Sequence, residues 1–276
     1  MSRFPDLSDK GYLIQQVLGQ NHEGGRITYQ AIDMDTQQPV VIKQFQFACL
    51  NSPWSDYSAY RREIQILKLL DHPGIPRYLD SFETPMGFCL VQEYKSAPSL
   101  ARSQRHWTPN EVKQIAIEVL QILMYLQRRV LPVIHRDIKP DNILADYLET
   151  LKVYLVDFGF AHAGTEKVAA SSVIRRTLGF MPPEQILGRQ LTLASDLYGL
   201  GATLICLLTQ TPSTQVRELI EPSYRFNIKE LLPFLNPEFM QWLQTIVEPD
   251  PAHRFPDAAS ALQALQLIEV EQAQPA

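Results

Sequence analysis

The sequence predicts an α+β, bilobal protein: a small antiparallel β-sheet lobe with one main helix over residues 1–94, then a larger helical lobe over 95–268. Three observations carry this. Short alternating apolar and polar stretches fill the first part, helical periodicity replaces them after about Pro98, and 276 residues allow one large domain or two modest ones. A chain this size buries about three quarters of its unfolded surface. It needs no disulfide or metal to hold a core together.

Tyr12-Leu-Ile, Ile27-Thr-Tyr and Val40-Val-Ile, separated by Gly24-Gly25 and by Asp33 to Pro39, read as consecutive strands with turns between them. A helix is expected over 58–70, where Tyr60, Ile64 and Leu67 recur at helical spacing and Asp71-His-Pro-Gly supplies the stop. Ile75 to Phe82 and Phe88 to Glu93 read as two more strands around a turn at Pro85 to Gly87, making a five-stranded sheet. Thr108-Pro-Asn-Glu111 then offers a capping hydroxyl, a proline at the first helical position and a Glu three residues after the cap. The helix it opens runs to about Arg128, with Val112, Ile115, Ala116, Val119, Leu123 and Leu126 on one face. A helix near 196–209 is apolar nearly all round and therefore buried. Amphipathic helices are expected near 227–234, 237–247 and 256–268, followed by a polar, frayed tail over 269–276.

Thirty acidic and 25 basic side chains give a net charge of −5, which argues against a general nucleic-acid binder. Cys49, Cys89 and Cys206 show no short metal or redox spacing, so a reducing, cytoplasmic setting is expected. The first residues lack the apolar core of a signal peptide. The most apolar run, Leu197 to Leu208, is too short to cross about 30 Å of hydrocarbon, so no membrane insertion is expected.

Two stretches concentrate polar residues between apolar ones: His135-Arg-Asp-Ile-Lys-Pro-Asp-Asn-Ile-Leu144 and, after a strand-like Lys152 to Val156, Asp157-Phe-Gly159. Here the chain resembles the eukaryotic-type (Hanks-type) Ser/Thr protein kinase family, whose catalytic loop reads HRDxKxxN and whose metal-binding turn reads DFG. Independent landmarks agree. Lys43 ends the strand-like Val40-Val-Ile-Lys43, Glu63 lies on the first helix, Pro182-Pro183-Glu184 stands in for the family's APE, Asp196 opens the buried helix, and Arg254 follows Asp250-Pro-Ala-His. The likeness spans about residues 12–268 and implies a protein-kinase-like fold in which both lobes make one kinase domain. The style of the loop from Leu18 to Ala31 and the compact helical lobe resemble bacterial members.

The resemblance implies phosphoryl transfer from ATP, with Mg²⁺ or Mn²⁺, to Ser/Thr hydroxyls of proteins, with autophosphorylation. In phosphoryl transfer, positioning and electrostatics do most of the catalysis. Asp157 and Asn142 would supply hard oxygen ligands to the metal. Lys43 would hold the α/β-phosphates and Glu63 would hold Lys43. Asp137 would accept or orient the proton of the attacking hydroxyl, and Lys139 would steady the γ-phosphate; a Lys there resembles Ser/Thr rather than tyrosine kinases. Gly19, Gly24 and Gly25 would cover the phosphates, Val41 and Leu144 would sandwich the adenine, and backbone groups of Glu93 and Lys95 would read its edge, with Gln92 as gatekeeper. His135, Glu184, Asp196 and Arg254 would be architectural, Arg254 pairing with Glu184.

The glycine loop departs from the family's GxGxxG: Asn21 stands at the second glycine, and the loop is two residues longer. A looser phosphate cover is expected, since glycine lets backbone N–H groups approach without a Cβ in the way. Arg136, Arg175 and Arg176 could receive a phosphate on Thr165, Ser171, Ser172 or Thr177 of the activation segment. Two alternatives compete with an active protein kinase. A pseudokinase would bind nucleotide or scaffold without transfer, and the intact set Lys43, Glu63, Asp137, Asn142 and Asp157 argues against it. A small-molecule kinase of related fold would lack the Pro182-Pro183-Glu184 segment and Lys139. The residues name neither the protein substrate nor an oligomeric state.

Overall fold

The structure, a computed structural model, describes residues 4–21, 25–46, 53–103, 105–147, 150–163 and 179–270. The chain forms two compact units, residues 1–96 and 97–276.

The first unit is a five-stranded antiparallel sheet of β1 (Tyr12–Asn21), β2 (Arg26–Asp33), β3 (Pro39–Gln46), β4 (Tyr78–Thr84) and β5 (Gly87–Glu93), in the order β1-β2-β3-β5-β4, with α1 (Pro53–Leu69) between β3 and β4. Central β3 is buried from Val40 through Gln44, which explains its continuous apolar run. Tyr29, Ala31, Val40, Ile42, Cys89 and Val91 form the core on one face. On α1, Tyr60 packs between the rings of Phe45 and Phe88, at 5.2 and 5.0 Å between centroids. The Asp33 carboxylate accepts from the N–H groups of Asp35 and Thr36 and so makes the expected turn.

In this unit, two boundaries differ from expectation. Helix α1 begins at Pro53, five residues before the expected start, with proline at a first-turn position that loses no hydrogen bond. Strand β4 begins at Tyr78 rather than Ile75, because Pro76 has no N–H to give a ladder.

The second unit is mainly helical: α2 (Pro109–Gln127), α3 (Pro183–Ile186), α4 (Ser195–Thr209), α5 (Ile228–Leu231), α6 (Pro237–Ile246) and α7 (Ala258–Gln266). Helix α2 starts in a reciprocal capping box in which Glu111 N–H donates to Thr108 Oγ1 and Thr108 N–H to Glu111 Oε2. The six apolar residues expected on its inner face are all buried. Helix α5 is shorter than expected because Pro233 drives Leu232 out of the helical region, to φ −136°. The start of the tail is also less free than expected: Val270 is buried and Asn236 Nδ2 donates to the Glu269 carbonyl at 2.9 Å.

Helix α4 is buried from Ser195 through Leu207. Its glycines are contact points. A Cβ on Gly199 would lie 2.8 Å from the Ile138 carbonyl oxygen, and one on Gly201 would meet Val247 and Ile246 side chains at 2.4 and 2.6 Å. Helix α4 thus passes directly against the loop containing Ile138. Two short antiparallel pairs frame that loop: β6 (Val133–Ile134) with β9 (His162–Ala163), and β7 (Ile143–Asp146) with β8 (Lys152–Leu155). Among the described residues no helix is long and apolar enough to cross a membrane.

Candidate active site

In the first unit, Lys43 and Glu63 form a buried ion pair through Lys43 Nζ and Glu63 Oε1, with Glu63 wholly buried. Such a pair persists only where geometry offsets the desolvation of both charges, so the sheet and α1 must hold these side chains firmly together. Glu63 Oε2 is buried without a hydrogen-bond partner among the described residues. Gly19 is in register with Thr28, and Thr28 with Lys43, so glycine and lysine share one rung of the sheet. A Cβ on Gly19 would meet nothing within 4 Å; the protein's own packing does not require glycine there. Gly25 has φ 57°, and its carbonyl accepts from Gln46 N–H at 2.8 Å. Gly24 lies outside the described residues.

Val41 and Gln92 are paired across β3 and β5 and both are buried. The Glu93 N–H donates to the Arg77 carbonyl at 2.9 Å, and its carboxylate meets Lys95 Nζ at 2.9 Å. Burial pushes the Glu93 carboxyl up, but Lys95 and the Arg77 N–H outweigh it and hold it below its ordinary value.

In the second unit, Asp137, Lys139 and Asn142 make one hydrogen-bonded cluster. Asn142 Nδ2 donates to both the Asp137 carbonyl and Asp137 Oδ2 at 2.8 Å. Lys139 Nζ lies 3.1 and 2.8 Å from the two Asp137 oxygens. Burial raises the affinity of the Asp137 carboxyl for a proton, and Lys139 opposes it; the net shift is upward. That is the direction a proton acceptor needs, because basicity rises with pKa.

His135 is wholly buried. Its Nδ1 accepts from the Asp137 N–H at 3.4 Å, which leaves Nε2–H to donate to the Val156 carbonyl at 3.2 Å. Burial lowers its pKa, and one neutral tautomer serves both contacts. Its ring packs edge-on against Phe158, centroids 4.8 Å apart, and so supports the turn bearing Asp157. Asp157 itself adopts φ 67°, a left-handed conformation that a non-glycine residue keeps only when its surroundings impose it. Val156 N–H donates to the Asn142 carbonyl at 2.9 Å, tying the two candidate metal ligands into one backbone frame. Leu144 follows on β7, bridged to Ser99.

Asp196 accepts from the N–H groups of His135 and Arg136, both at 2.7 Å. Glu184 accepts a two-pronged contact from Arg254 at 3.0 and 3.1 Å and a bond from Ser195 Oγ at 3.0 Å. Asp196 thus holds the loop directly, while Glu184 and Arg254 are bonded to each other and, through Ser195, to the residue before Asp196. Gln185, which the sequence did not single out, donates to the Arg136 carbonyl at 3.1 Å. Thr165, Ser171, Ser172, Arg175, Arg176 and Thr177 lie outside the described residues, as does Cys49. Cys89 and Cys206 are free and buried, their thiols pushed up to about 12 by burial, so they are unreactive.

The donor set fits a divalent cation of the Mg²⁺ type. Asn142 commits its amide nitrogen to Asp137 and keeps its oxygen to offer, and Asp157 would add a carboxylate. Among the described residues no group of three or more His, Cys, Asp or Glu is placed to cage a metal. An ion held by two side chains would fill its shell with phosphate oxygens and water, as Mg²⁺ does.

Comparison with known proteins agrees with this arrangement. The family described as protein kinase domain matches residues 12–266. The chain is 30% identical over 281 residues to serine/threonine-protein kinase PknA of Nostoc, covering 95% of this chain and 48% of that protein. It is 34% identical to serine/threonine-protein kinase F of Synechocystis over 75% of this chain and 45% of that protein. Against the cytokinesis protein sepH of Aspergillus niger it is 35% identical over 74% of this chain and 15% of that protein. The chain thus spans about half the length, or less, of these relatives. With a catalytic-loop cluster, a buried Lys–Glu pair and a match along nearly its whole length, the chain belongs to the protein kinase domain family.

Proposed function

We propose that this chain transfers the γ-phosphoryl group of ATP to Ser and Thr hydroxyls of proteins, its own included. The observation that carries the reading is the buried cluster of Asp137, Lys139 and Asn142, a proton acceptor of raised basicity with a cation against it. The relatives named as serine/threonine-protein kinases support the choice of acceptor.

Each unit carries part of the chemistry. Lys43, fixed by Glu63, binds the α/β-phosphates, while Gly19 and Gly25 let backbone N–H groups approach them. Val41 and Leu144 pack on the adenine, whose edge meets backbone groups of Glu93 and Lys95. Asn142 and Asp157 hold Mg²⁺, which neutralises charge on the phosphate oxygens. Asp137 orients the attacking hydroxyl and takes its proton, and Lys139 steadies the γ-phosphate as the bond to the leaving oxygen breaks. A cytoplasmic setting suits the two free, buried thiols.

The test is transfer of labelled γ-phosphate from Mg-ATP to a generic protein substrate and to the chain itself, followed by phosphoamino-acid analysis. Label on Ser and Thr is expected, and Asp137→Asn should lower kcat by about a hundredfold or more. Nucleotide binding with no transfer above that of Asp137→Asn would defeat the reading.

A further inference from the structure

Gln185 takes no part in the chemistry proposed above, yet its side chain reaches the catalytic loop. The Arg136 carbonyl can only accept, so the amide nitrogen must face it, and Nε2 does so at 3.1 Å. Oε1 is then buried with no hydrogen-bond partner among the described residues. A buried acceptor without a donor carries an uncompensated desolvation cost. An apolar side chain of similar size would remove this cost together with the bond to Arg136, so fold stability alone gives little reason for glutamine here.

The bond has a specific consequence at Arg136. This residue sits at φ 70°, a left-handed conformation that its surroundings must impose. Its N–H is held by Asp196 Oδ1 at 2.7 Å, and its carbonyl by Gln185. The two gripping residues are themselves tied together through their chain neighbours, because Ser195 Oγ donates to Glu184 Oε1 at 3.0 Å and Arg254 anchors Glu184. Glu184-Gln185 and Ser195-Asp196 thus form a frame closed around one peptide residue. The Arg136 carbonyl belongs to the peptide plane that also contains the Asp137 N–H, and that N–H points to His135 Nδ1 at 3.4 Å. Releasing the carbonyl frees that plane to rotate and takes the Asp137 carboxylate with it.

We propose that Gln185 is a positioning residue for Asp137, fixing the Arg136–Asp137 peptide plane from the segment that follows Pro183. The proposal rests on the phosphoryl-transfer reading and deepens it. The test compares wild type with Gln185→Leu, which removes the donor, and Gln185→Glu, which keeps the shape but turns an acceptor toward an acceptor. Steady-state kinetics, melting temperature and hydrogen exchange of the amides of residues 135–142 are measured together. In Gln185→Leu, kcat should fall about ten- to a hundredfold, the scale of a small misplacement of a reacting group. The KM for ATP and the melting temperature should hardly move, and exchange at 135–142 should quicken. Unchanged kcat with unchanged exchange overturns the proposal, as does a kcat loss matched by a fall in melting temperature with no local change in exchange. If Gln185→Leu does not fold, Gln185→Glu is judged by the same readouts. If wild type transfers no phosphate, the kinase reading fails on its own account, and exchange at 135–142 still decides whether Gln185 orders the loop.

Discussion

At the residue scale, the catalytic cluster is legible in the sequence because it is local. Asp137, Lys139 and Asn142 lie within six positions, so one loop carries all three and their spacing shows in the sequence. The grips of Asp196 and Gln185 on Arg136 cross 60 and 49 residues, and no local spacing announces them. The local cluster yields a pH prediction. Asp137 accepts a proton only when ionised, so activity should fall as pH falls through its pKa. Burial raises that pKa above the ordinary 3.8, and Lys139 restrains the rise. Lys139→Met removes the restraint, so the acid limb of the kcat profile should move to higher pH. Because Lys139 would also steady phosphate in the proposed reaction, the height of the profile should drop as well; the position of the limb is the diagnostic. A limb that stays in place would show that the Lys139 charge does not act on Asp137.

At the element scale, type and order were readable and several ends were not. Helices α2 and α6 announce their starts through side-chain caps, Thr108 and Asn236. Helix α1 starts without such a pattern at Pro53, and the four-residue strands β7 and β8 are too short for periodicity to mark both. The glycines show how far an element's composition depends on what it touches. Inside α4, replacing Gly199 with alanine gains up to about 1 kcal/mol of helix propensity. The new Cβ would lie 2.8 Å from the Ile138 carbonyl and 3.2 Å from that of Phe180. Overpacking costs about 1–3 kcal/mol, and backbone yields less readily than a side chain, so Gly199→Ala should be destabilising by urea titration. Gly19→Ala meets open space in a strand, where alanine is favoured by about 0.5–1 kcal/mol. Its midpoint should hold or rise, and any cost should appear in the KM for ATP. A Gly199→Ala protein as stable as wild type would mean that α4 and the loop have room to part.

At the scale of the whole molecule, a net charge of −5 means that ATP cannot rely on a generally basic surface to hold its phosphates. On the proposed function, holding them would fall to Lys43, Lys139, backbone N–H groups of the glycine loop, and a cation on Asn142 and Asp157. Folding stability reports that binding, because a ligand taken up only by the folded state adds RT ln(1 + [L]/Kd). Mg-ATP at a hundred times its Kd should add about 2.7 kcal/mol, and at about 2–4 °C per kcal/mol for chains of this order the melting temperature should rise by roughly 5–10 °C. The rise should have two parts, one from ATP and one from the metal. Chelating Mg²⁺ should remove the second part in wild type. In Asp157→Ala that part should already be missing, so ATP with and without Mg²⁺ should give the same small shift. A wild-type shift left undiminished by chelation would mean that the cation adds nothing to the binding, and the assignment of Asn142 and Asp157 as its ligands would fall.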